Sequence, residues 1–324
     1  MTIILNLEPD GYSPNACEII SSLGTVINGP LGRPTLLNEI NKVNILIVRL
    51  GHRIDQELLD KAPHLHTIVS ATTGRDHIDT TYAKKKGIAV LSLFGETEFL
   101  NSVTATAELS WGLLLSLVRR IPAAVQHVKE GDWHRDSFKG SELAGLRLGI
   151  IGLGRLGRMV AAYGHTFRMN VSAYDPLLTE WPDSIEQHTQ LTELFKKSDV
   201  VSVHAPLNEI TSGMIDESLF KRLPDGAVFI NTSRGELVNE DALLEALQNG
   251  PLAGAALDVI RDENAATGKP IKSPLIDYAL GHSNLIITPH IGGATKTSME
   301  RTEVFMANKL RAHLNNNTQQ SCPQ

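Results

Sequence analysis

An arginine stands where an apolar strand ends. In VFINTSRGELVNEDALLEAL, residues 228–247, the opening run reads as a buried strand and the closing run as a helix. Thr232, Ser233, Arg234 and Gly235 occupy the tight turn between them. A surface arginine needs no such setting, whereas one that must hold an anion at the mouth of a sheet does. Guanidinium suits that work because its planar fork meets a carboxylate through two hydrogen bonds and stays charged. The carboxyl ends of parallel strands are where open α/β sheets take ligands.

A second anion site is written in glycines. LGIIGLGRLGRMV sets Gly152, Gly154 and Gly157 in G-x-G-x-x-G spacing, with Arg155 and Leu156 between the last two. The pattern is weak alone, but here a strand precedes it, a helix follows, and Asp175 closes NVSAYD about twenty residues on. Gly152 permits a tight turn, Gly154 lets a pyrophosphate approach the backbone, and Gly157 lets helix and strand pack closely. The helix N-terminus then offers free N–H groups to the anion. Asp175 can accept hydrogen bonds from the adenosine ribose hydroxyls and would repel a 2′-phosphate, so NAD is expected rather than NADP.

The elements that must carry these groups alternate. IILNL, VNILIVRL and HTIVSA read as strands, and SPNACEIISSLG and IDQELLDKA as helices. DTTYAKKKGIAVLSL repeats the theme with an aspartate cap, a helix, a glycine stop and a strand. This rhythm predicts doubly wound parallel sheets. NSVTATAELSWGLLLSLVRRI breaks it, as a long apolar helix over 101–121 ended by Pro122. A second α/β series follows, with strands NVSAYD, DVVSVHA, AVFINTS, AGAALDV and LIITPH, then a final helix over about 294–315 and a polar, disordered tail, NNNTQQSCPQ.

Composition sets the outer limits. A chain of 324 residues suits two domains. A net charge of −6 and no basic block argue against nucleic acid and anionic membranes. Cys17 and Cys322 match no metal spacing, so no metal is expected and a reducing compartment is. The N-terminus lacks a signal peptide's basic region, and no apolar run reaches the ~20 residues of a membrane helix. A soluble, cytoplasmic protein is expected.

Taken together, the blocks resemble the D-isomer-specific 2-hydroxyacid dehydrogenases, over nearly the whole chain. ATTGRDHID resembles that family's substrate loop, TATAELSWGLLLSLVRRIP its interdomain helix, and GDWHR the segment after it. DVVSVHAPLNEITSGMI is similar to the stretch beside the adenosine. INTSRGELVNEDALLEAL, AALDVIRDEN and TPHIGGAT match the catalytic blocks in order. The resemblance implies an NAD-binding Rossmann domain, 103–292, inserted into a discontinuous flavodoxin-like substrate domain, 1–102 and 293–324. It also implies a homodimer built on the 101–121 helix, and no room for the extra C-terminal regulatory domain of some phosphoglycerate dehydrogenases.

The resemblance assigns roles as well. Arg234 would grip the substrate carboxylate and carbonyl, and His290 would be the acid/base, since imidazole can take or give the hydroxyl proton near neutral pH. Glu263 would pair with His290, favouring the charged ring and fixing its tautomer. Asp262 is a competing carboxylate, and Asn264 stands where the family usually has proline. Asp258 would meet the nicotinamide carboxamide. Thr106, Thr232, Ser233 and Gly292 would lie by the cofactor, with Pro206 and Thr211 on its adenosine side. His204 would merely pack at its strand end, and the leucine stripe of 109–118 would be core or dimer surface. Thr73, Gly74 and Arg75 fall on the substrate loop, where relatives often have a small or apolar residue in place of Arg75. Arg49 resembles an arginine aimed at phosphate in some phosphoglycerate dehydrogenases, but Ser70 replaces another. The implied reaction is hydride transfer between nicotinamide and a small anionic D-2-hydroxy or 2-oxo acid. A phosphite dehydrogenase and a dinucleotide-sensing, corepressor-like binding protein are the alternatives.

Overall fold

The computed structural model describes residues 2–263 and 272–320. Among these, one compact unit comprises 2–103 and 294–320, the other 104–263 and 272–293.

In the first unit, β1 (Ile3–Asn6), β2 (Thr25–Asn28), β3 (Ile45–Val48), β4 (Thr67–Ser70) and β5 (Ala89–Leu91) form a parallel sheet in the order β2-β1-β3-β4-β5. β3 and β4 are buried at every residue, as strands covered on both faces must be. Alternation divides their side chains between two cores. Leu5, Leu46 and Ile68 join Leu36 and Leu58 on one face; Ile4, Ile45 and Val69 join Ile20, Met306 and Leu310 on the other. Ser13, Asp55 and Asp79 each cap the helix that follows by accepting a backbone N–H.

Two elements of this unit carry no clear sequence signal. β2 is a mostly exposed edge strand and shows no apolar alternation. The helix Arg33–Glu39 buries only Leu36. The final helix runs Lys296–Gln320 and not 294–315, so NNNTQQ is helical where a disordered tail was expected. Extending a formed helix needs only propagation, which polar residues sustain.

In the second unit, β6 (Arg147–Ile151), β7 (Asn170–Tyr174), β8 (Glu186–Gln187), β9 (Val200–Val203), β10 (Ala227–Asn231), β11 (Leu252–Leu257) and β12 (Leu285–Ile287) form a parallel sheet ordered β12-β11-β10-β9-β6-β7-β8. The chain enters at β6, winds one way to β8, then returns to β9 and winds the other way. The reversal leaves a crevice beyond the carboxyl ends of β6 and β9, the switch point of such sheets.

The helix expected over 101–121 is two helices, Ala105–Val118 and Ile121–Lys129. Arg120 turns the chain at φ 54°, and Pro122 lies in the first turn of the second helix rather than ending the first. A first-turn proline loses no helical hydrogen bond. Ala107, Trp111, Leu114 and Leu117 are core of their own unit, which accounts for the apolar character of the first helix. Exposed apolar side chains follow it instead: Ile121, Val125, Val128 and, at 83% exposure, Trp133. Among the described residues no helix is long and apolar enough to cross a membrane, and no cluster of three His, Cys, Asp or Glu could hold a metal.

Candidate active site

At the switch point the chain turns through Gly152 at φ 88°. A Cβ there would come within 2.9 Å of the backbone of His204 and Ala205, so glycine is required by both conformation and space. At Gly157 a Cβ would stand 2.1 Å from the Gly152 carbonyl oxygen. Gly154 differs: nothing lies near its Cβ position, and it caps the helix Arg155–Thr166 without any side-chain hydrogen bond to the first turn. That leaves open space over helix N–H groups, which fits a pyrophosphate. Burial lowers the Arg155 guanidinium below its ordinary value. Asp175 braces the same loop, its carboxylate accepting Leu153 N at 2.9 Å and Leu177 N at 3.0 Å. Beyond β9, Pro206 and Thr211 close an exposed turn, Thr211 Oγ1 donating to Pro206 O at 2.7 Å. His204 bonds Ser202 Oγ at 2.8 Å, and burial pushes its pKa down to about 4.

The arginine turn after β10 is held on every side. Asn231, 1% exposed, accepts Ser233 N through Oδ1 at 3.0 Å and donates from Nδ2 to Arg234 O at 2.8 Å. Buried Thr232 bonds Ser110 Oγ at 2.6 Å, and Ser110 donates to Thr106 O at 2.8 Å. Ser233 Oγ donates to Ala205 O at 2.5 Å, and Arg234 Nη1 to Ser233 O at 2.7 Å. A Cβ on Gly235 would lie 2.1 Å from the Ile260 carbonyl carbon, so this glycine lets the turn sit against the segment leading to Glu263.

Asp258, at the end of β11, organises the third loop. Its Oδ1 accepts Thr288 Oγ1 at 2.5 Å and Ile291 N at 2.8 Å, and its Oδ2 accepts Gly292 N at 2.7 Å. Its carbonyl accepts His290 N, and its own N–H donates to Asn231 O, both at 2.9 Å. Burial raises the carboxyl above its ordinary value, against the bonds from Thr288, Ile291 and Gly292. These bonds hold His290 at φ 53°, a left-handed conformation that a non-glycine residue adopts only when its surroundings impose it. His290 Nδ1 is hydrogen-bonded to Glu263 Oε1, and Glu263 Oε2 accepts Ile260 N at 3.4 Å. Asp262, in the left-handed region at φ 53°, is exposed, so Glu263 is the carboxylate on the ring. A Cβ on Gly292 would meet Asp258 Oδ2 at 3.0 Å and Thr106 Cγ2 at 3.2 Å. One continuous network therefore joins Thr106, Thr232, Ser233, Arg234, Asp258, Glu263, His290 and Gly292. Asn264 and the loop through 271 lie outside the described residues.

The remaining candidates lie in the other unit. After β4, Thr72 Oγ1 bonds Ser70 Oγ at 2.8 Å and donates to Gly74 O at 2.7 Å, while Thr73 is exposed. Arg75 stacks on Phe94, 4.0 Å from the ring centroid. Arg49 is engaged otherwise than the sequence suggests. Its Nη1 reaches Glu303 Oε1 at 3.2 Å, and its Nη2 donates to Glu8 O at 3.0 Å and Asp10 O at 3.1 Å. Glu303 is 1% exposed and needs a cation beside it, so Arg49 joins the final helix to the ends of β1 and β3 and is not held for a ligand.

Sequence reasoning placed Asn231 and Gly235 on the turn without giving either a role, and passed over Ser110. An Asn two residues before Ser233 is a local turn signal that could have been used. Ser110 gave none, because its partner lies 122 residues away.

A glycine cradle at the switch point of a doubly wound sheet, beside a hydrogen-bonded His–Glu pair and an arginine turn, defines a dinucleotide-binding α/β unit equipped for proton and anion chemistry. Known proteins make the class specific. Residues 111–292 match the family model "D-isomer specific 2-hydroxyacid dehydrogenase, NAD binding domain". The chain is 38% identical over 296 residues to D-3-phosphoglycerate dehydrogenase of Rattus norvegicus, covering 90% of this chain and 53% of that protein. It is 35% identical over 280 residues to hydroxypyruvate reductase of Thermotoga maritima, covering 86% and 88%. Among solved structures it is similar to D-lactate dehydrogenase from Aquifex aeolicus complexed with NAD and lactic acid, with a TM-score of 0.85, 32% identity, and 99% and 97% coverage. This chain belongs to the D-isomer specific 2-hydroxyacid dehydrogenase family. It spans about half the length of the curated D-3-phosphoglycerate dehydrogenases it matches.

Proposed function

We propose that the protein is an NAD-dependent dehydrogenase of a small D-2-hydroxy acid, acting between that acid and its 2-oxo counterpart. The observation that carries this is the Glu263–His290 hydrogen bond, in one network with the Arg234 turn. In this reading the unit of residues 104–263 and 272–293 is the cofactor domain, inserted into a substrate domain of 2–103 and 294–320. NAD, when bound, accepts or donates the hydride. Gly152, Gly154, Arg155, Leu156 and Gly157 hold its pyrophosphate, Asp175 its ribose, and Pro206 and Thr211 flank its adenosine. Thr106, Thr232, Ser233, Asp258 and Gly292 border the reacting end.

Arg234 grips the substrate carboxylate. Glu263 occupies His290 Nδ1, so Nε2 is the nitrogen that exchanges the proton. In reduction the charged ring gives that proton to the forming hydroxyl; in oxidation the neutral ring removes it. The carboxylate at Nδ1 stabilises the charged ring as it forms and holds its orientation.

The test is a panel of 2-oxo acids read by loss of NADH absorbance. Steady turnover of any member supports the reading; tight NADH binding with no turnover overturns it in favour of a dinucleotide sensor. We further propose a cytoplasmic homodimer. Its surface is read on the exposed Ile121, Val125, Val128 and Trp133 rather than on the buried helix before them. A monomer by sedimentation at micromolar concentration would refute the dimer.

A further inference from the structure

Several cations of the first unit have an acid beside them. Arg33 reaches Asp55 and Glu57, Arg49 reaches Glu8 and Glu303, Lys86 reaches Asp60, and Lys309 reaches Glu96. Arg75 reaches no described carboxylate. Its guanidinium lies 4.0 Å from the centroid of Phe94, a ring that is itself 60% exposed. An exposed phenyl ring has no packing reason to be there, but it makes a good shelf for a planar cation.

The backbone makes that shelf rigid. Thr72 is tied to Ser70 and to Gly74 O through its hydroxyl, and Ile78 N donates to Arg75 O at 2.9 Å, closing the turn. Leu93 N donates to Thr72 O at 3.0 Å, which fastens the segment after β5 to the loop after β4 and brings Phe94 under Arg75. Both segments lie beyond the carboxyl ends of adjacent parallel strands, the end at which such sheets take ligands. A half-buried, oriented cation with no acid of its own, in a chain whose formal net charge is −6, is suited to an anion arriving from outside.

We propose that Arg75, shelved on Phe94, is a specificity-determining residue that binds a second anionic group, and that the preferred substrates are dianionic 2-oxo acids. The second group is a carboxylate or a phosphate ester carried beyond the 2-oxo acid carbons. This rests on the reading of Thr73 and Gly74 as the substrate loop: the 2-oxo acid carboxylate is held at that loop and the second anion by Arg75. A monoanionic substrate leaves the Arg75 cation unmatched, while a dianion meets it with charge-assisted hydrogen bonds.

The experiment compares kcat/KM for matched pairs that differ only in the second anion: 2-oxoglutarate against 2-oxovalerate, and phosphohydroxypyruvate against hydroxypyruvate. Wild type should favour one or both dianions by about tenfold to a hundredfold, the range for losing a hydrogen bond to a charged group. Arg75→Met should abolish that preference by lowering kcat/KM for dianions about tenfold or more beyond any change for monoanions, a split that general damage to the fold would not produce. Arg75→Lys should keep part of the preference, because the charge remains without the fork. Phe94→Leu should lower dianion selectivity with the charge intact. The pair of dianions separates the two chemistries, and a preference for either supports the inference. Equal kcat/KM for dianions and monoanions in wild type, or a preference unchanged in Arg75→Met, would overturn it and leave the dehydrogenase reading standing. No turnover of any 2-oxo acid would overturn both.

Discussion

Asp258→Asn isolates what the buried carboxylate does for His290. The substitution preserves shape and removes the charge. The amide oxygen can keep the bonds from Thr288 Oγ1 and Ile291 N, but its NH2 then faces Gly292 N–H, now 2.7 Å from Oδ2, donor against donor. The opposite flip restores Gly292 and faces Ile291 N–H instead, so either orientation loses at least one charge-assisted bond in a residue that is 1% exposed. Such a bond contributes about 1.5–3 kcal/mol. If that cost falls on the loop conformation that holds His290 at φ 53°, kcat should drop about tenfold to a hundredfold, at about 1.4 kcal/mol per factor of ten. Global stability should move much less. Burial already raises this carboxyl above its ordinary value, so the charge is costly where it stands and removing it offsets part of the lost bond. The assay is steady-state reduction of the best 2-oxo acid by NADH, with thermal unfolding measured in parallel. Thr288→Val, which removes one of the bonds without creating an opposed donor, should cost less. A kcat within twofold of wild type at unchanged melting temperature would refute the claim that Asp258 positions His290.

Three further outcomes are expected. Glu263→Gln should lower kcat in both directions, because the ring loses the carboxylate that holds Nδ1; a kcat unchanged in Glu263→Gln but lowered in Asp262→Asn would show the pairing to be wrong. Asp175→Ala should erode a preference for NAD over NADP, read as the ratio of kcat/KM for the two cofactors, and a wild type that prefers NADPH would remove the basis for this role. His204, with its pKa pushed down to about 4 by burial, stays neutral in the folded chain, while the unfolded chain binds a proton below about 6.5. Stability should therefore be full above that pH and decline as pH falls from about 6.5 toward 4, by about 2–3 kcal/mol from this ring alone; denaturant midpoints in His204→Gln that decline as steeply as wild type would contradict it.

What the sequence determines here is local. Gly152 and Gly157 are legible because a turn at positive φ and a close helix–strand contact each exclude a side chain, and spacing places both on one loop. The aspartate and serine caps, the apolar strands and the strand-to-turn step at Arg234 are equally local, since each is set by neighbours a few residues away. Tertiary structure decides the rest, because the deciding partners are distant in the chain. The helix after Thr104 ends where Arg120 turns the chain at φ 54°, and its apolar face is filled by its own unit; propensity alone reveals neither. Arg49 looks like a ligand arginine until Glu303, 254 residues away, is placed beside it. Glu263 and Asp262 are indistinguishable as letters; the fold turns one onto His290, 27 residues on, and leaves the other in solvent. Asn231 and Asp258 join their loops through a backbone bond between neighbouring strands, and strand neighbours are assigned by the winding of the sheet, not by any residue in them.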